Sequence, residues 1–319
     1  NGPGYAIGLV RKGQLEFGKG YGFSNLKAKT PITADTAFNI ASLSKQFTAA
    51  SIAIDLKSGK LGIDDRLADH WPGLPPFMSN ITIAHLVYMT SGLKEYYTLP
   101  SPKGGWASED RFTVDDAIDA VIASGKLEYE PGTKWSYSNT NYQFLAQLSG
   151  KLNERSFPDH MEKTIFRPLQ MTNSWVDSPL APNRANRATA YVKTQNGNGW
   201  EEAPRLSPHY GGSGIFSSLA DLAKWDAALF TNQSFGAQFT EQMLTKRAFE
   251  HSKKNDAFGL VHGAYNGVKT LWYEGGDYGT SSYMVRIPAR DETVVCLSNF
   301  GDSQCAQKAK AVLDILISE

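Results

Sequence analysis

Strand-like sequence lies at the two ends of this chain and helix-like sequence fills its middle, an order that few architectures accept. Tyr5 to Val10 and Gln14 to Tyr21 alternate in character on either side of Arg11-Lys12-Gly13, the signal of a β-hairpin. Helical patterns then dominate, at about 44–57, 82–90, 114–123, 141–152, 158–166, 218–229 and 237–246. Strand patterns return at about 257–262, 268–273, 279–287 and 291–298. A last helix presents Ala309, Val312, Leu313 and Leu316 as one apolar stripe, capped by Asp302 or Ser303. Strands at both termini bury their faces most simply by pairing with one another. The expected fold is therefore α/β in the α+β sense: an antiparallel sheet built from both chain ends, flanked by helices, with a mostly helical lobe inserted. The single domain expected would place its sheet lobe at about 1–43 and 247–319 and its helical lobe at about 44–246.

Ser42-Leu43-Ser44-Lys45 opens the longest alanine-rich, apolar helical run, Gln46 to Leu56, which holds neither Gly nor Pro. Serine and lysine three apart on a helix share a face. A neutral lysine amine there can take the proton of a serine hydroxyl and make it a nucleophile without histidine. Ser-x-x-Lys also occurs at Ser24…Lys27 and Ser91…Lys94, so the motif needs context. Ser24 follows a glycine-rich strand end and reads as turn chemistry, and Ser91 precedes Gly92 as a capping position. Ser42 stands where orphan N–H groups and the helix dipole favour an oxyanion and disfavour a protonated lysine. Taken alone, Ser42 as a helix-cap serine remains the alternative.

Glu130 to Asn139 ends in Tyr137-Ser138-Asn139, just before an amphipathic helix from about Asn141 to Leu152. In extended chain, residues two apart point the same way, so Tyr137 and Asn139 can enter one cavity. A phenol beside a lysine ammonium is expected to have a lowered pKa and to shuttle protons. The asparagine amide can hold the lysine and a substrate carbonyl together. A buried tyrosine with a turn asparagine is the competing reading.

With these two motifs the chain resembles the penicillin-binding proteins and class C β-lactamases, with their esterase and D-aminopeptidase relatives. The resemblance extends through Gly59 to Asp65, Ile81 to Leu86, Thr90 to Leu93, Ile165 to Thr172 and Ser217 to Trp225, in the family's order. It implies a β-lactamase/transpeptidase-like fold and acyl transfer through a covalent serine intermediate. Ser42 would be the nucleophile, Lys45 the base, Tyr137 the proton relay and Asn139 the group that orients Lys45 and substrate. Backbone N–H groups of Ser42 and Gly276 would form the oxyanion hole.

The third family motif, Lys-Thr-Gly or His-x-Gly, is altered. Its expected equivalent is Trp272-Tyr273-Glu274-Gly275-Gly276-Asp277-Tyr278-Gly279, with Tyr273 in place of the cation and Gly275 letting substrate lie against the backbone. Glu274 would then face away by the period of two, whereas a one-residue slip would aim it into the site as a substrate-binding group. His209-Tyr210-Gly211 matches His-x-Gly too, but precedes a helical segment and reads as a decoy. In the family, the cation helps to bind a substrate carboxylate. An uncharged Tyr273 makes a weaker hydrogen bond, so weak or absent β-lactamase activity is expected, with small esters or D-amino-acid amides as better substrates. A β-lactamase or D,D-carboxypeptidase, and a non-catalytic penicillin-binding sensor, are the alternatives.

Composition narrows the partners. With 32 basic and 32 acidic residues, neither nucleic acid nor an anionic membrane surface is an expected partner; a small-molecule ester or amide, or a peptide, is. No stretch approaches the ~20 apolar residues of a membrane helix. The six histidines are scattered, with no His-Glu-x-x-His, so no metal is expected; there is no phosphate loop, and no cofactor is called for. Two cysteines, Cys296 and Cys305, allow one disulfide; two buried free thiols are the expectation. No signal peptide is present, and Asn1-Gly2-Pro3-Gly4 reads as an internal start, as if a helix that relatives carry had been removed. A periplasmic or secreted location fits the resemblance.

Overall fold

The computed structural model describes residues 2–101, 112–178, 184–203, 209–231, 234–247 and 256–318. Six strands form its main sheet: β1 (Tyr5–Arg11), β2 (Gln14–Tyr21), β3 (Val261–Tyr265), β4 (Val268–Asp277), β5 (Thr280–Ile287) and β6 (Glu292–Ser298). They are antiparallel in the order β3-β4-β5-β6-β1-β2, so the two chain ends meet where β1 pairs with β6. The β1–β2 connection turns at Lys12 (φ 51°) and Gly13 (φ 75°), and two successive left-handed residues match the twist of a two-residue hairpin.

Each face of the sheet covers a separate core. The smaller one packs Ile7, Val285, Val294 and Cys296 against the stripe Ala309, Leu313 and Leu316 of the last helix, Cys305–Ser318. Cys296 and Cys305 lie side by side within it as free thiols. The larger core joins the other face to helices α1 (Ser44–Lys57), α2 (Asn139–Leu152) and α3 (Leu219–Phe230). Phe47, Phe144 and Trp225 are among its large, fully buried side chains. Arg286 of β5 enters that side and bonds Asp226 of α3 at 2.7 Å, while Thr293 donates to the same carboxylate at 2.6 Å. This pairing gives two buried charges their partners.

The middle of the chain departs from a purely helical reading. Phe38–Asn39, Ile215–Ser217 and Trp175–Val176 form a three-stranded sheet, and Tyr191–Lys193 pairs with Trp200–Glu202. Strands of two or three residues are too short to reveal a period of two. The segment at 158–166 divides into Phe157–Met161 and a wider-wound turn, Glu162–Phe166. The Pro-, Gly- and Ser-rich sequence from about Tyr96 to Phe112 also reads as a loop that could wall the site, and its residues 102–111 lie outside the described residues.

Candidate active site

Ser42 belongs to a single tight turn, Ala41–Leu43, ahead of α1 rather than to the helix itself. Ala41 holds a left-handed φ of 46°, a conformation that L-residues adopt at a cost unless the surroundings fix it. The surroundings here do so. Asn39 accepts the Ala41 N–H at 2.9 Å, Ile40 donates to the Ile215 carbonyl at 2.9 Å, and the Ile40 carbonyl accepts Ser282 Oγ at 2.7 Å. β4 lies along the same turn. A Cβ at Gly275 would fall 2.6 Å from Ile40 O and 2.8 Å from Ser42 N, so only glycine permits that approach.

Lys45, in the first turn of α1, is 0% exposed. Its Nζ lies 3.2 Å from Ser42 Oγ, 2.7 Å from Tyr137 OH, 2.7 Å from Asn139 Oδ1 and 2.6 Å from the Gly212 carbonyl. Tyr137 OH and Ser42 Oγ are 2.5 Å apart, which closes the ring of contacts. Burial lowers the Lys45 pKa to about 7, against an opposing pull from the Glu95 and Asp277 carboxylates. A neutral amine has two N–H groups and one lone pair. Asn139 Oδ1 and Gly212 O are acceptors only, so they take both N–H groups and leave the lone pair for the Ser42 and Tyr137 hydroxyls.

Tyr137 corrects the expectation of a lowered pKa: its phenol is pushed up to about 12. Removing the hydroxyl end from water disfavours phenolate, while the hydrogen bond with Ser42 pulls in the other direction to a smaller extent. Although 40% of its surface is exposed, its hydroxyl points inward to Lys45, a lysine that is itself easily deprotonated. Near neutral pH, Tyr137 therefore acts as a hydroxyl.

Asn139 is the first residue of α2, where Ser138 caps by accepting the Asn141 N–H at 3.2 Å. Glu95 Oε2 accepts the Asn139 N–H at 2.7 Å and places a carboxylate at the positive helix end. Neither Glu95 nor Gly212 was singled out by the sequence reading. The available signal was the cluster Gly211-Gly212-Ser213-Gly214, which begins with the last residue of the supposed decoy: Gly211 O accepts from Thr48 Oγ1 at 2.8 Å, beside the Gly212 bond to Lys45. A Cβ on Gly212 would meet Asn139 Oδ1 at 2.8 Å and its Cβ at 2.9 Å. The Gly212→Ala variant is therefore expected to shift Asn139 and lower kcat by about 10²-fold while it still folds, checked by steady-state kinetics alongside circular dichroism.

The third-motif register is that of Tyr273. Tyr273 opposes Met284 and belongs to the larger core, on the face of the sheet that carries Ser42. Glu274 opposes Tyr283, a member of the smaller core, and is solvent-exposed. The slipped register, with Glu274 aimed at substrate, does not hold, because the pleat sends alternate side chains to opposite faces. β3 pairs with β4 only as far as Trp272, so among the described residues the strand from Tyr273 through Gly275 and Gly276 to Asp277 is paired on one side alone. Space around Gly276 is open. The two other Ser-x-x-Lys serines lie elsewhere: Ser24 bonds Thr30 O, and Ser91 Oγ is buried against Asn141 Oδ1 at 2.6 Å.

A family model described as Beta-lactamase matches residues 1–316. The chain belongs to the β-lactamase family. Among its relatives, penicillin-binding protein 4* of Bacillus subtilis is 28% identical over 302 residues, which cover 90% of this chain and 66% of that protein. A D-aminopeptidase of Cereibacter sphaeroides is 25% identical over 321 residues, covering 98% of this chain and 59% of the relative. The chain thus spans somewhat less than two thirds of each. The solved structure of an octameric penicillin-binding protein homologue from Pyrococcus abyssi superposes with a TM-score of 0.87 at 25% identity, covering 99% of this chain and 74% of that one. The mixed antiparallel sheet and helices are those of this family. Among the described residues, no helix is long and apolar enough to cross a membrane, and no group of three or more His, Cys, Asp or Glu side chains is arranged to hold a metal ion.

Proposed function

We propose that this β-lactamase-family chain is a serine hydrolase that cleaves small amides or esters, D-amino-acid derivatives among them, through an acyl-enzyme. The observation that carries this reading is the Lys45 amine, buried, with a pKa of about 7 and in contact with both Ser42 Oγ and Tyr137 OH. Neutral Lys45 takes the Ser42 proton as Oγ attacks the carbonyl carbon, whose oxygen becomes the oxyanion. The backbone N–H groups of Ser42 and Gly276 stabilise that oxyanion, a reading supported by the contact of the Gly275 strand with Ser42 N. As the carbon–nitrogen or carbon–oxygen bond breaks, the leaving group gains a proton through Tyr137, which is replenished from the Lys45 ammonium. Water then attacks the Ser42 ester, and its proton returns along the same path. Asn139 orients Lys45 and the substrate carbonyl. In this reading the whole chain is one catalytic domain, exported to the periplasm or secreted.

Substrate preference follows from Tyr273, which is uncharged and buried on the site face where other family members carry a cation. Poor turnover of β-lactams, whose carboxylate that cation would bind, is the consequence. Mixing the intact protein with p-nitrophenyl butyrate and quenching within the first turnovers should leave one butyryl group on the peptide that holds Ser42, detected by mass spectrometry. Nitrocefin should be hydrolysed slowly or not at all. A butyryl group on another side chain, or none with turnover in progress, would refute the acyl-enzyme; rapid nitrocefin hydrolysis would refute the substrate preference.

A further inference from the structure

We propose that Asp277 anchors the substrate's ammonium group, so that the preferred acyl donor is an amino-acid amide or ester with its amine free. This inference rests on the hydrolase reading and specifies its substrate class. Tyr273, Gly275 and Asp277 alternate onto one face of β4, and the Cβ position of Gly275 on that face lies 2.8 Å from Ser42 N. Asp277 follows two residues later, about 7 Å further along the strand, at the reach of an α-amine on a substrate whose carbonyl lies at Ser42. Its charge acts on Lys45 and also on the buried Tyr96.

Asp277 is also available to a ligand. Its Oδ1 accepts the Tyr278 N–H at 2.8 Å, it makes no ion pair among the described residues, and it is partly exposed. The other carboxylate that acts on Lys45 is not available in this way. Glu95 Oε2 accepts the Asn139 N–H, and its Oε1 is enclosed by protein, so neither oxygen is open to a ligand among the described residues. With Glu95 and Asp277 both acting on Lys45, a substrate carboxylate at the Asp277 end of the site would be repelled and an ammonium attracted. Tyr278, the next residue, is 53% exposed and donates its backbone N–H to Asp277, so its ring stands in solvent at the same turn.

Docking an ammonium on Asp277 has a second effect. It neutralises one of the two carboxylates that hold a proton on Lys45, so bound substrate makes Lys45 neutral at lower pH. A merely structural Asp277 would not produce this.

The test compares the methyl esters of D-phenylalanine and of 3-phenylpropionate, which differ by the amine, on the intact protein and on Asp277→Asn. The expected result is that the intact protein favours the amine-bearing ester and that Asp277→Asn lowers the ratio of the two kcat/KM values about tenfold, most of it through KM. The acidic limb of kcat should lie at lower pH for the amine-bearing ester in the intact protein, and this difference should disappear in the variant. Asp277→Glu should restore part of the ratio. An unchanged ratio in Asp277→Asn would overturn the anchor while leaving Ser42-dependent turnover of 3-phenylpropionate ester in place. Absence of Ser42-dependent turnover of either ester by the intact protein would overturn the hydrolase reading itself.

Discussion

Replacing Ser42 by alanine is expected to lower the hydrolysis of p-nitrophenyl butyrate by roughly 10⁴-fold or more, with the fold retained. In the proposed reaction Oγ is the atom that bonds to the acyl carbon, and no neighbour can substitute for it. Tyr137 OH is 2.5 Å away, but a phenol with a pKa near 12 is almost wholly protonated at neutral pH. Lys45 Nζ is held by Gly212 O and Asn139 Oδ1 with its lone pair directed at the hydroxyls. The residual rate should be that of an oxyanion hole acting on water. The fold should survive because the change removes one small hydroxyl and strands nothing: Lys45 keeps its bonds to Tyr137, Asn139 and Gly212, and Tyr137 keeps Lys45. A melting temperature within a few degrees of the intact protein, measured beside the kinetics, separates lost chemistry from lost structure. Full turnover by a folded Ser42→Ala would remove Ser42 from the reaction and leave the chain as a binding protein on a hydrolase scaffold.

What the sequence could disclose depended on whether the physics was local. The Ser42–Lys45 spacing is a property of one helical turn, and Tyr137-Ser138-Asn139 a property of one helix start, so both could be read from short windows. The alternation in β4 was equally local: Gly275, between Glu274 and Gly276, sets which side chains face Ser42, and the structure follows the Tyr273 register. The sheet made from both termini was legible because strands without partners must find them.

Gly212 and Glu95 were not legible, because each acts through a backbone or helix-end contact with residues far away in sequence. Lys45 and Gly212 are separated by 167 positions, and the glycine cluster at 211–214 marks a tight backbone there without marking which carbonyl meets the lysine. The direction of the Tyr137 shift was also out of reach. It depends on burial, which raises the phenol and lowers the amine, so the lysine charge that would have depressed Tyr137 is itself disfavoured. The short strands at Phe38–Asn39 and Ile215–Ser217 were hidden for another reason. They hold the Ser42 turn by a few backbone bonds, with too few residues to leave a periodic trace.

Lys45 carries the second large effect, and it appears in both rate and stability. With a pKa of about 7, the neutral amine required as base forms as pH rises through neutrality. The logarithm of kcat/KM for a neutral ester should climb with unit slope below pH 7 and level off above it. No alkaline fall should follow before pH 10, since Tyr137 ionises only near 12. Lys45→Ala should lower the rate by about 10³-fold and flatten this profile. Stability should respond in the same window. Folding lowers the lysine from its ordinary 10.5 to about 7, so between these values the unfolded chain binds a proton that the folded chain does not. Stability contributed by this group therefore rises with pH from 7 towards 10. Below pH 7 both states are protonated and the full burden of burying the ammonium remains, about 5 kcal/mol at roughly 1.4 kcal/mol for each pH unit. Lys45→Met removes the titration, and its free energy of unfolding in urea should rise less between pH 7 and 9.5 than that of the intact protein. Parallel stability curves for the two proteins would mean that Lys45 keeps its proton in the fold. The rate would then have to draw its base from elsewhere, and an unchanged midpoint near pH 7 in Lys45→Ala would show the same thing from the kinetic side.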